Sequence, residues 1–190
     1  MAALADKPAL HLTEPQWVHH LETVAHVDGV RLLLRKKGRD VPGMTWSEAL
    51  DVALCFGWID GQGQRVDDDF MLTAFQPRRR ASVWSQVNRE HVARLVDEGR
   101  MRAEGLAEVE RAKADGRWEA AYRQKDAVAP PDLRAALDAD PVAAAFWEST
   151  SKTEKFRVYF RLAALKRPET RAARIADVVA AAARGEHHYR

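Results

Sequence analysis

"FGWIDGQGQRVDDDFMLTAFQ", residues 56–76, decides the fold. Two short runs, Trp58-Ile59-Asp60 and Gln64-Arg65-Val66, flank Gly61 and Gly63, and an apolar run from Phe70 onward follows three aspartates. Apolar runs this short, bounded by Gly and Asp, read as strands closed by turns. The stretch therefore predicts two short strands with a turn at each end, the glycines shaping one of them. "VRLLLRKK" (30–37), apolar and then basic, predicts a further strand ending in solvent. Together these make a small antiparallel sheet.

The flanks read as helices. Residues 13–27 have Thr13 as an N-cap, Pro15 in the first turn, and Trp17, Leu21, Val24 and Ala25 on one face, before Asp28-Gly29 turns the chain. "TWSE" (45–48) is a capping box that opens a helix ending at Gly57. From residue 82 the pattern is helical throughout. Segments 85–98 and 102–115 end at Gly99 and Gly116, helices start at the prolines near 131 and 141, and a last pair covers 151–166 and 168–184. "RQKDAVAPPD" (123–132) is the one loop-like stretch and reads as a hinge. The fold class expected is α+β: a small antiparallel sheet with N-terminal helices, followed by a mostly helical C-terminal half. Residues 1–125 form the body and 126–190 a helical C-terminal unit.

Composition excludes several classes. One cysteine, Cys55, rules out a disulfide scaffold. No run approaches the roughly 18 apolar residues that span a bilayer, and the N-terminus shows no basic-then-apolar leader pattern, so a cytoplasmic place is expected. The net charge of +2 does not mark a nucleic-acid binder. Charge is uneven, however: residues 1–76 carry 7 Lys/Arg against 11 Asp/Glu, while 77–128 carry 12 against 9 and 129–190 carry 11 against 8. In the last part, Phe156, Tyr159, Phe160, Leu162 and Leu165 interleave with basic residues. That pattern suits either nucleic-acid contact or, with the apolar positions on one helix face, a core.

"FQPRRRASVWSQVNRE" (75–90) carries the strongest site signal. Arg78, Arg79 and Arg80 follow a proline that ends a strand, and Ser82, Trp84, Ser85 and Asn88 stand at the mouth of a helix. Unpaired N–H groups at a helix start, together with adjacent guanidiniums, grip a carboxylate or phosphate. The alternative is that the arginines pair with Asp67–Asp69 while Ser82 or Ser85 caps the helix. Asp60, beside Trp58 and before Gly61, is a candidate acid or base if burial raises its pKa, or otherwise a residue that shapes the turn. Cys55 reads as a small core residue. His19, His20, His26, His187 and His188 lack the spacing of a metal site, and no phosphate-loop, dinucleotide or nucleophile-elbow motif is present, so neither metal nor cofactor is expected.

The runs "MTWSEALDVALCFGWIDG", "DDDF", "PRRR" and "SVWSQVNRE", with "GLAEVERAKADGRW" and "KRPETRAARI", resemble a bacterial family of bacteriocin-protection, YdeI- or OmpD-associated proteins. The likeness runs from about Trp17 to Gly185. It implies a link to bacteriocin tolerance, envelope stress and outer-membrane porins, and brings no catalytic residues with it. The leading expectation is a stress-protection protein without catalysis, holding a small anionic ligand or a protein partner at Trp58, Asp60, Arg78–Arg80 and Ser82–Asn88. An enzyme acting on an anionic metabolite through Asp60 is the second reading, and nucleic-acid binding the third.

Overall fold

The computed structural model of the protein describes residues 6–23 and 29–187, so the expected helix end at 24–27, Asp28, His26 and His188 lie outside the described residues. The chain divides into two compact units, Met1–Ala121 and Tyr122–Arg190.

The first unit holds a four-stranded sheet of order β1-β2-β4-β3, formed by β1 (Ala9–Leu10), β2 (Val30–Arg35), β3 (Trp58–Arg65) and β4 (Phe70–Pro77). The β2–β4 and β4–β3 pairs are antiparallel, as expected, but the sheet carries an addition at its edge, where two residues of β1 pair with β2 in parallel. Gly61 and Gly63 do not make a turn. Both lie inside β3, where the register against β4 shifts between Asp60 and Gly63. Glycine in a strand often marks such an irregularity, because the extra residue needs backbone freedom and leaves no side chain to place. The real turn is at 66–69, where Asp67 Oδ1 accepts the N–H groups of Asp69 and Phe70 at 2.8 and 2.7 Å.

Helix α2 (Trp46–Cys55) packs on the sheet, and α1 (Glu14–Thr23), α3 (Gln86–Asp97) and α4 (Ala103–Ala114) pack on α2. The expected capping box opens α2: Thr45 Oγ1 accepts from Glu48 N, and Thr45 N donates to Glu48 Oε2 at 2.7 Å. Every residue of α2 from Ala49 to Cys55 is buried. Apart from Asp51 this stretch is apolar all round and must be enclosed, and α2 has contacts with α1, α3, α4, β2 and β3. The core around it holds Trp17, Leu32, Leu34, Leu50, Leu54, Phe75 and Leu95, with Trp17 Nε1 donating to Ala49 O at 3.1 Å. Gly105 lets α4 approach the end of α2, since a Cβ there would lie 2.4 Å from Cys55 O.

The second unit contains α5 (Pro131–Asp138), α6 (Pro141–Ser149), α7 (Lys152–Ala164) and α8 (Pro168–Ala183). Leu133, Leu137, Trp147, Val158, Leu162, Ile175 and Val178 form its core. Arg171 clasps Asp132 through Nε and Nη2, tying α8 to α5. The mixed aromatic-basic run divides on α7. Val158 and Leu162 are buried, while Phe156 and Phe160 pack on Tyr122 with ring centroids 5.3 and 5.2 Å away. With its sheet first and its helical half second, the chain is α+β.

Candidate functional site

The arginine run is placed by the end of β4. Arg78 N donates to Gly57 O at 3.0 Å, which fixes the chain as it leaves the strand. Its side chain turns inward and is buried, with the guanidinium carbon 3.4 Å from the centre of the Trp84 ring and Nη1 donating to Val83 O at 3.2 Å. Trp84 in turn stands edge-on to Trp118 at 4.8 Å, and Arg89 lies over Trp118 at 5.0 Å. Cations on indole faces are attracted by the ring quadrupole, more strongly where water is excluded. Arg78, Trp84, Trp118 and Arg89 thus make an interlocked stack.

Ser82 and Ser85 serve the local backbone. Ser82 Oγ accepts from Arg79 N at 2.8 Å and closes the turn, while Ser85 Oγ accepts from Asn88 N at 3.1 Å and caps α3. Asn88 is buried in the first turn, whereas Arg79 and Arg80 are exposed. The three aspartates lie at the other end of β4, so the pairing weighed above is not what holds them: Asp68 pairs with Arg65, and Asp69 with Arg39 at 3.6 Å.

Asp60 belongs to a different group. Its Oδ2 accepts from Trp46 Nε1 at 3.1 Å, and the half-buried carboxyl is held above the ordinary aspartate range. Burial is the main cause, opposed by the indole bond and by the charges of Arg78 and His91. Trp46 also meets the His91 ring edge-to-face at 6.4 Å. His91 Nδ1 lies 2.6 Å from Oδ1 of Asp51, whose Oδ2 takes a hydrogen bond from Arg94 at 2.6 Å. Trp46 and Asp51 from α2, Asp60 from β3, and His91 and Arg94 from α3 therefore converge. Sequence reasoning found Asp60 alone. The signal available was His91 and Arg94 three residues apart on one helix face, matched by Asp51 in the otherwise apolar stretch Ala49–Cys55 of α2.

Trp58 faces elsewhere. It is buried edge-on against Trp17 at 5.9 Å and borders a cavity of about 670 Å³ whose wall includes Phe56, Arg100, Arg102 and Glu104. That volume is in the range of small-molecule sites. The cavity meets the start of α4, where Arg102 is the N-cap residue and supplies no side-chain hydrogen bond to the helix. Arg102 lies over Phe56 at 4.9 Å and pairs with Glu22 at 2.7 Å, and Arg100 pairs with Glu14 at 2.9 Å. Nearby Cys55 is buried, which pushes its thiol pKa up against the pull of Arg100 and Arg102. It is a protonated core residue, as its position on α2 suggested. Among the described residues no group of His, Cys, Asp or Glu could hold a metal ion, and no helix is long and apolar enough to cross a membrane.

The structure thus distributes the expected site residues over three places: Arg78 and Trp84 in a buried stack with Arg79, Ser82, Ser85 and Asn88 along the adjoining turn, Asp60 in a polar cluster, and Trp58 at a cavity.

Comparison with known proteins divides the chain along similar lines. Residues 126–185 match the model of the family described as Bacteriocin-protection, YdeI or OmpD-Associated, the family that the sequence resembles. The runs around Gly57–Gly61 and Arg78–Arg80 fall instead inside a match over residues 11–108. No curated protein and no solved structure matches. With more than half of its length in that second match, the chain belongs to the family of the domain of unknown function DUF8412, and it carries the bacteriocin-protection match in its helical C-terminal unit.

Proposed function

We propose that this is a bacteriocin- or stress-protection protein whose N-terminal unit binds a small anionic molecule in the cavity at the start of α4. The family match over residues 126–185 supports the protection reading. The observation that carries the binding reading is the cavity itself: an apolar wall of Phe56 and Trp58 meets a helix start without a side-chain cap, flanked by Arg100 and Arg102. Free N–H groups and the helix dipole favour an anion there. The present partners of the two arginines are exposed carboxylates, and such surface pairs are held by less than about 1 kcal/mol. A ligand carboxylate or phosphate displaces them at little cost.

The exposed turn at Arg79 and Arg80 is the competing position, favoured by its two solvent-facing guanidiniums. One experiment separates the two. A thermal-shift screen with phosphate, citrate and nucleotides finds ligands that raise the melting temperature, because binding to the native state adds stability. The shift is expected to vanish in Arg100→Ala/Arg102→Ala and to persist in Arg79→Ala/Arg80→Ala. The reverse pattern moves the site to the turn, and no shift with any anion removes the binding reading.

A further inference from the structure

The helical C-terminal unit carries a surface that neither anion position uses. On α7, Val158 and Leu162 turn one side of the helix into the core of the unit. At about 3.6 residues per turn, Lys152, Phe156, Arg157, Phe160 and Arg161 point away from that side. Phe160 is 39% exposed, and Lys152, Arg157 and Arg161 are exposed as well. Tyr122 stacks on Phe156 with ring centroids 5.3 Å apart and meets Phe160 edge-on at 5.2 Å, while the two phenylalanine rings are 5.7 Å from each other. Three aromatic rings thus form a cluster outside the core.

The charge around this cluster has one sign. The only acidic residue of α7, Glu154, is engaged with Ser151 in the capping box that starts the helix. Lys152, Arg157 and Arg161 have no carboxylate partner among the described residues. The segment that follows Tyr122 runs beside the same face, with Gln124 Nε2 donating to Thr153 Oγ1 at 3.4 Å. It adds the exposed Lys125, and its acidic residue, Asp126, is paired with Arg123 at 3.6 Å. Cations alone would suit any polyanion. An exposed ring among them selects one whose own units have π-faces, because nucleobases stack on aromatic side chains while cations hold the phosphates. A lipid surface would need the apolar side of α7, which the core already occupies, and the bases of a duplex are stacked on one another.

We propose that this face of α7 binds single-stranded nucleic acid, with Phe160 as the stacking surface, Phe156 and Tyr122 as its backing, and Lys152, Arg157 and Arg161 on the phosphates. Fluorescence anisotropy of the full chain with a fluorescein-labelled oligothymidine tests it. Wild-type protein is expected to bind, with affinity falling as salt rises. Each phosphate contact to a single strand contributes about 0.7 to the slope of log K against log salt, so Arg157→Ala/Arg161→Ala should flatten it by about 1.4. Phe160→Ala should weaken binding at least about fivefold without changing the slope, the lower end of what one stacked base contributes. Phe160→Leu should be as weak, although it keeps an apolar side chain against Tyr122, and Phe160→Trp should bind as well as wild type; the pair separates stacking from a folding defect. No binding at low salt overturns the proposal, even if phosphatidylserine vesicles are bound instead. Wild-type affinity in Phe160→Leu, or a duplex of the same length bound as tightly as the single strand, overturns it too, since charge alone would then account for the contact.

Discussion

Two helices of the N-terminal unit begin beside arginines, and they begin in opposite ways. At α3 the chain closes its own site: Ser85 caps the helix, Ser82 ties the turn, and Arg78 lies buried on Trp84. At α4 no side chain caps the helix, and Arg100 and Arg102 line a cavity with Trp58. The contrast shows how a stretch dense in site-like residues can spend them on its own geometry. The residues of the proposed anion cavity then lie where nothing in the sequence draws the eye.

Truncating Trp84 tests the closed half of the comparison most severely. The ring is 2% exposed and lies between Arg78 and Trp118. Trp84→Ala should cost about 4 kcal/mol, the usual loss for a buried aromatic, with the Arg78 guanidinium also deprived of its platform. Urea unfolding followed by circular dichroism measures it. A loss under about 1 kcal/mol, a surface-like value, would mean that the stack does not close this helix start.

Gly105→Ala tests the open half. A methyl there would meet Cys55 O at 2.4 Å and Leu54 O at 2.6 Å, both backbone atoms. Neither can swing aside, so α4 must move away from α2 at a cost of about 3 kcal/mol, the upper end for overpacking. Because α4 carries Arg102 and Glu104 beside the cavity wall, any ligand-induced thermal shift should shrink with it. Smaller still is the difference between the caps. Ser85→Ala should lose about 1 kcal/mol, whereas Arg102→Ala removes no cap and loses an exposed pair with Glu22 and the contact over Phe56, together less than about 1 kcal/mol. Equal losses at the two positions would erase the distinction between the helix starts.

The fold was more legible than the sites, for physical reasons that particular residues make plain. Thr45-x-x-Glu48, Ser85 and Gly57 act over three or four residues, and such local signals survive into the structure as caps and turns. β1 was invisible because two residues carry no period; it exists only by pairing with β2. Gly61 and Gly63 read as a turn in the sequence because glycine marks turns and strand irregularities alike, and only the pairing with β4 separates the two. At the sites, the run from Arg78 to Asn88 was conspicuous through adjacency, yet its local hydrogen bonds use most of it. The Asp51–His91 contact joins residues 40 apart, and α4 meets Cys55 through a glycine that carries no chemistry. Tertiary packing sets both, and no short window of sequence contains it.

The finest comparison is between Asp60 and the capping carboxylate Glu48, which protein structure pushes in opposite directions. Glu48 is held below its ordinary range, chiefly by its bond from the Thr45 backbone, so it adds stability above its unfolded pKa and loses it as pH falls. Asp60 is held above its ordinary range by burial. In that case the folded state binds the proton more tightly than the unfolded chain. The stability it contributes is present in full below the unfolded value and is lost as pH rises through the folded one. Asp60→Asn removes the charge and keeps an oxygen to accept from Trp46 Nε1, so it should stabilise the protein at neutral pH and lose that advantage in acid. Thermal melts of the two proteins between acid and neutral pH give the difference directly. An advantage that grew on acidification would mean that Asp60 is stabilised in its charged form, with Arg78 and His91 outweighing burial, and it would then be a poor source of protons for any chemistry beside Trp46.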